Sequence, residues 1–357
     1  MTPRSTSRTA SRALLRPLLV ALGALALTAA LFALQGLAPA RAAELLVRGA
    51  FGDADAWSAT LRLATPLLLC TAGVALAFRC GLWNIGAEGQ LLVGGLAAAW
   101  AGSASGHWLP ALLAGALAGG AWAALPAWLK VRRGVPEVLS TLLLNGVALE
   151  LLRWLVTGPL QEPTGQFPQS APLPESAWLP QLPLGRTGAL HLGLPLALLL
   201  TAACGLFLAR TRAGLLLRAG ATAPLLTKAC RFPLARAQLL CFAAAGALAG
   251  LAGAGAVAGV ARTVDRSLSQ GLGYAAVAAA LLAGLRSAWL APAALLFAAL
   301  QSGTAALQWA ENLPGIDRFG LVLQGVAIIA VVVATRGRAL RGGTLGGRLG
   351  GERSAPP

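Results

Sequence analysis

Read for its apolar and polar positions, the chain is a series of long apolar runs separated by short polar breaks. Continuous runs fall at residues 13–37, 61–78, 108–129, 137–157, 190–208, 238–260, 289–309 and 319–334, each close to the length a helix needs to cross a bilayer. Two shorter runs begin beside glycines, one near residue 87 and one at 271–284. The apolar residues are continuous rather than alternating, which excludes a β-barrel. The pattern predicts an all-α, polytopic integral membrane protein of about ten transmembrane helices, with broken helices near the centre. Residues 13–37 follow a basic stretch and precede small residues, as in a signal peptide. The run is about 25 residues, beyond the ~7–15 of a secretory core, so a retained first span is expected.

The breaks have distinct characters. Residues 38–60 carry mixed charge and read as an external segment, and the proline-rich residues 158–188 read as an ordered external loop. Residues 262–270 and 311–318 are shorter external breaks. Residues 210–236 hold six basic residues and no acid, with a short helix expected at 220–232 lying in a cytoplasmic loop. Three regions follow: a basic N-terminus (1–12), a transmembrane domain (13–335) containing the loop 210–236, and an arginine-rich tail (336–357).

Composition agrees: 57% of residues are hydrophobic, 11% are charged and the mean hydropathy is +0.72, values no ordinary soluble domain shows. The formal charge of +16 would suggest nucleic acid in a soluble chain. Here 20 of the 28 basic residues lie on one side of the expected topology, so they set orientation and place both termini in the cytoplasm. No nucleic-acid partner is expected. The five cysteines form no CxxC pair and read as small apolar fillers, with no metal site. His107 and His191 fall near outer span ends and read as interfacial.

The candidate chemistry lies in residues 81–90, GLWNIGAEGQ, which bring Asn84, Glu88 and Gln90 between two apolar runs. A carboxylate at membrane depth costs roughly 2.5 kcal/mol or more, so such a residue marks a site by default. Gly81, Gly86 and Gly89 loosen the helix there, and Gly271 and Gly273 open the second short segment. Paired short segments in the two halves of a chain point to a transporter's solute site. Asn145 lies deep in another span, where its amide must face a neighbouring helix or a polar path. Glu88 either lines that path or holds backbone amides of the broken segment; both readings stand. Glu150 and Arg153 are spaced to pair on one helix face. Gly246/Gly250 and Gly255/Gly259 have the small-xxx-small spacing of close helix contacts.

Uphill transport needs an energy source, and the chain has no GxxxxGK[ST] loop. Either a separate ATPase grips the basic loop or protons drive a secondary transporter. A non-transporting scaffold is disfavoured by the buried polar residues.

Several strings resemble a known family: GLWNIGAEGQLLVGG (81–95), PEVLSTLLLNGVA (136–148), TRAGLLLRAGA (211–221), AGALAGLAGA (245–254), GLGYAAVAAALLAG (271–284) and LVLQGVAIIAVVV (321–333). In this order they resemble the branched-chain-amino-acid/simple-sugar superfamily of bacterial ABC importer permeases, and within it the nucleoside-import subgroup. The resemblance implies a permease subunit of the inner membrane that pairs with an identical or paralogous permease. It implies two cytoplasmic ATPase subunits holding ATP and magnesium, with no cofactor in this chain, and an extracytoplasmic solute-binding protein. The loop at 210–236 would carry the coupling helix, with Arg212, Gly214, Arg218, Ala219, Gly220 and Pro224 meeting the ATPase. One departure is that Thr222-Ala223-Pro224-Leu225-Leu226 stands where the family usually has Asn-Pro-x-Ala-Ala. Membrane lipid is the remaining partner.

Overall fold

Three of the helices begin at side-chain caps that the sequence supplies: Asp53, His107 and Thr211. A computed structural model describes residues 36–182 and 190–311, with residues 23, 26–30, 32–34 and 325–326. The expected first span falls mostly, and the last span and tail almost wholly, outside these residues. Helix α1 is Pro39–Phe51 and α2 is Ala54–Arg79. The segment at 38–60, expected to be external, is helical: Arg41 and Glu44 pair one turn apart and Asp53 caps α2 by accepting the Ala56 amide at 2.7 Å. Helix α3 is Ala87–Ser105 and α4 is Trp108–Arg133, its first turn capped by His107 through the Leu109 amide. Helix α5 is Glu137–Val156.

The connection from residue 157 onward holds a short antiparallel pair, β1 (Gln181–Leu182) and β2 (Leu190–His191), with Gln181 opposite His191. Helix α6 is Gly193–Arg210. The basic loop contains two helices rather than one, α7 (Arg212–Thr222) and α8 (Pro224–Ala229). The first starts eight residues before the expected position, because Thr211 caps it by accepting the Gly214 amide at 3.0 Å. Helix α9 is Leu234–Ala256, continued by a π turn at Val257–Ala261; α10 is Leu272–Leu282 and α11 is Ser287–Glu311.

Among the described residues six helices are long and apolar enough to cross a membrane. Of the ten expected spans, those at 13–37 and 319–334 lie mostly or almost wholly outside these residues, and α3, with a polar first turn and several glycines, and the 11-residue α10 fall below that standard. Two units divide the chain, residues 47–303 and residues 1–46 with 304–357. In the second, Phe32, Leu37, Ala42 and Leu307 form a buried apolar cluster backed by Leu45 and Leu46.

In the first unit α9 is the central helix, packed against α2, α3 and α4. Its small residues let backbones approach: a Cβ on Gly250 would lie 2.9 Å from the Gly119 Cα, and one on Gly246 would overlap Ala123 and the Gly119 carbonyl. Such contacts replace the hydrophobic driving force that a lipid solvent does not supply. The second expected glycine pair divides, with Gly255 facing open space and Gly259 facing the His191 ring. Helix α10 lies against α2 and α3, α5 against α3 and α4, and α6 against α2.

Helix α5 shows how the exterior differs from that of a soluble protein. It buries Glu137, Ser140, Thr141 and Asn145 while exposing Leu139, Leu142, Leu143, Val147 and Trp154. Hydrocarbon accepts the exposed face, and the polar groups find partners inside. Glu150 and Arg153 pair on the exposed side, as their spacing predicts.

Candidate functional site

The polar stretch starts where α2 stops. Gly81 has φ +79°, a left-handed conformation that glycine adopts without strain, and it turns the chain away from the helix axis. Residues 81–86 are non-helical, and α3 begins at Ala87. The first amides of a helix have no partner within it, and here the Gly86 and Gly89 amides are served by side chains.

Asn84 and Gln90 bind each other reciprocally. Asn84 Nδ2 donates to Gln90 Oε1 at 3.0 Å, and Gln90 Nε2 donates to Asn84 Oδ1 at 2.9 Å. The same Asn84 oxygen accepts the Gly86 amide at 3.0 Å. Both side chains are buried, with 0% and 1% of their surface exposed. From α5, Asn145 Oδ1 accepts the Gly89 amide at 2.9 Å while its Nδ2 donates to the Ile85 carbonyl at 2.9 Å and to Tyr274 Oη at 3.3 Å. A Cβ on Gly89 would lie 2.9 Å from Asn145 Oδ1, so the absence of a side chain there lets α5 come close.

Glu88 reaches the other half of the chain. Its Oε2 accepts the Gly273 amide at 2.8 Å and its Oε1 accepts from Ser269 Oγ. Helix α10 starts after Gly271, whose φ of +78° matches that of Gly81. The carboxyl of Glu88 therefore lies in the first turn of α3 and against the first turn of α10, at the positive ends of two helices. A Cβ on Gly273 would overlap the backbone N and Cα of Glu88, so this position holds glycine for close approach. The two glycine-started segments, about 185 residues apart in sequence, meet at one carboxyl.

Around this junction, Trp83 N donates to Glu137 Oε1 at 3.3 Å, and Glu137 Oε2 pairs with Lys130 Nζ at 2.8 Å, joining the ends of α4 and α5. Asn84, Glu88, Gln90 and Asn145 are thus brought together, and the hydrogen bonds they make run to protein groups. Sequence reasoning missed Ser269, Glu137's bridge and Tyr274. Tyr274 is the single tyrosine of the chain, adjoins Gly273 and has 45% of its surface exposed, which makes it the accessible member of the network. Its position one residue after the second glycine pair was the available signal.

The residues expected to couple to an ATPase also converge. Arg212, Gly214, Arg218, Ala219 and Gly220 lie on α7, and Pro224 opens α8. Gly214 packs under the Phe207 carbonyl, Arg218 Nη1 donates to the Leu208 carbonyl at 3.3 Å, and Gly220 faces Leu234. The Ala219 carbonyl accepts the Ala223 amide at 2.7 Å, ending the helix. A Cβ on Gly81 would stand 2.8 Å from the Ala221 Cβ, so the polar stretch begins against α7 itself.

His191 is not interfacial: it is buried against Gly259, and its Nδ1 accepts the Gly193 amide at 3.1 Å. Burial, with the Arg62 charge nearby, holds its imidazole down to about 4. Close by, the Arg262 guanidinium stacks 3.5 Å over the Trp178 ring.

The arrangement, a polar junction of two helix ends buried among apolar helices, is one a solute carrier uses. A family model described as branched-chain amino acid transport system / permease component matches residues 57–332. The chain belongs to this family. The permease is 33% identical to the guanosine ABC transporter permease protein NupP of Bacillus subtilis, over 90% of this chain and 93% of that one. It is 33% identical to the glucose ABC transporter permease protein TsgB13 of Haloferax volcanii, over 82% and 80% of the two chains. With the nucleoside ABC transporter permease protein NupB of Lactococcus lactis it shares 27% identity over 90% of each chain. No solved structure matches the permease. The chain is an ABC transporter permease, a multi-pass membrane transporter subunit rather than an enzyme.

Proposed function

We propose that the permease is the membrane subunit of an importer that carries a nucleoside or a sugar-like solute into the bacterial cytoplasm. Energy comes from separate ATPase subunits, which hold ATP and magnesium and grip α7 and α8 from the cytoplasmic side. A second permease, identical or paralogous, completes the pathway, and an extracytoplasmic binding protein delivers the solute. Both termini face the cytoplasm. The observation that carries this reading is the contact of Gly81 with Ala221: displacement of α7 is delivered directly to the stretch whose far end holds Glu88 and α10.

Asn84, Glu88, Gln90 and Asn145 brace this path by fixing two helix ends, since protein groups already occupy their hydrogen bonds. Tyr274 presents its ring to the solute. A base or a sugar ring can lie on a phenol face, while the Asn145 amide fixes the ring's tilt through the hydroxyl. Substrates named for the relatives include guanosine, nucleosides and glucose, which share a polyhydroxylated ring.

The test is uptake of labelled guanosine and glucose into proteoliposomes holding the permease with its genomic ATPase neighbour and binding protein. ATP-dependent uptake that Arg218→Glu abolishes supports the reading. Uptake driven by a pH gradient in vesicles holding this chain alone would replace it with the proton-coupled alternative.

A further inference from the structure

Helices α2, α6, α7 and α9 enclose a cavity of about 470 Å³ that none of the functions above employs. Its walls are apolar, with Leu200 and Phe207 from α6, Ala213 and Leu217 from α7, and Leu240 and Cys241 from α9. Along α9 it extends from Ala237 to Ala244, about 10 Å of helix, against roughly 15 Å for the hydrocarbon depth of one leaflet. Leu240 is 68% exposed, so the cavity opens sideways to the face that the bilayer covers. Helix α7 forms its floor.

The rim carries charge in register with the lining. Arg210 lies one turn beyond Phe207 on α6, Arg236 lies one turn before Leu240 on α9, and Arg212 adjoins Ala213. Among the described residues none of the three forms an ion pair, and residues 210–236 contain no acid. Apolar walls with an unpaired cationic rim at the membrane surface match a molecule that has a hydrocarbon chain and an anionic head. Guanidinium groups bind phosphate oxygens in the bidentate manner they use for carboxylates, and basic pockets between spans on the cytoplasmic side take phospholipid heads.

We propose that this cavity binds one anionic phospholipid, with an acyl chain between α6 and α9 and its phosphate on Arg210 and Arg236. The chain supplies the dispersion contacts that an unfilled cavity would forfeit. The bound lipid supports α7 from the membrane side, so it stiffens the element through which an ATPase acts.

The experiment uses full-length permease in mild detergent, offered phosphatidylglycerol or phosphatidylcholine with identical acyl chains and weighed by native mass spectrometry. One phosphatidylglycerol per chain, retained against a tenfold excess of phosphatidylcholine, is the expected result. Arg210→Gln with Arg236→Gln should equalise the two lipids, and Ala203→Phe, which enters the cavity from an exposed wall position, should remove both. On the unaltered protein, phosphatidylglycerol bearing a photoreactive group at mid-chain should label peptides from residues 200–217 and 237–244. Equal retention of the two lipids by the unaltered chain overturns the proposal. Photolabelling confined elsewhere, or its absence, also overturns it and assigns the cavity to another segment of this chain or to a second copy.

Discussion

Asn145→Ala tests whether the polar junction is held by side chains. The substitution removes an acceptor from Gly89 N and a donor from the Ile85 carbonyl, both at 2.9 Å, in a place where Asn145 is 96% buried. Each orphaned backbone group costs about 1–3 kcal/mol by analogy with soluble cores. In membranes single interhelical hydrogen bonds average only ~0.6 kcal/mol, because the unfolded reference state also finds partners. The two backbone bonds lost together, with the longer 3.3 Å bond to the half-exposed Tyr274 hydroxyl adding little, place the cost at roughly 1.5–3 kcal/mol. The assay is unfolding of the purified permease in mixed micelles by added SDS, followed by tryptophan fluorescence, with uptake measured in parallel. Gly146→Ala is the control: a Cβ there meets nothing within 4 Å, so helix propensity alone acts and stability stays or rises slightly. A loss below ~0.5 kcal/mol for Asn145→Ala, with Gly146→Ala unchanged, would refute the bracing role.

Three further outcomes are expected. Glu88→Gln keeps an oxygen for the Gly273 amide and can turn its N–H to Ser269 Oγ, so uptake stays within about twofold, whereas Glu88→Ala strands that amide and lowers uptake about tenfold or more; equal behaviour of the two variants in the ATP-driven assay would count against this account. Gly273→Ala drives a methyl group into the Glu88 backbone and should abolish a folded, monodisperse product, while Gly255→Ala, which faces open space, should purify normally. His191 is accommodated neutral, with its imidazole held down to about 4 against roughly 6.5 when unfolded, so stability present above pH ~6.5 is lost as pH falls toward 4, on the order of 3 kcal/mol in all. His191→Gln should flatten that acid slope in a melting series, and an unchanged slope would show that another group carries it.

Much of this architecture could be read directly from the chain. Helix starts at Ala87 and Glu137 fall where the sequence places them, and so do the glycine-started second segment and the basic loop. Local signals suffice for these, since a continuous apolar run, a glycine break and an acid-free cluster of arginines each act over a few residues. The start of α7 lies eight residues before the expected one because Thr211 caps it, and the helix α1 was not legible because mixed charges mark a polar segment whether or not they form an i,i+3 pair.

Pairing across the fold was not legible. A span as apolar as α9 has no strongly polar face to mark which side turns inward, so the sequence alone does not set its neighbours; α5 carries Glu137, Ser140, Thr141 and Asn145 on one side, but which groups they meet was not legible. That was settled by glycine contacts such as Gly250 on Gly119, whose effect depends on what stands opposite. Once those backbones close, Glu88 finds Gly273 and Gly81 meets Ala221. The residues alone determined that polar groups must be sheltered from lipid; only the packed helices determined which groups shelter one another, because a hydrogen bond in hydrocarbon forms with whatever partner the surrounding shape brings within reach.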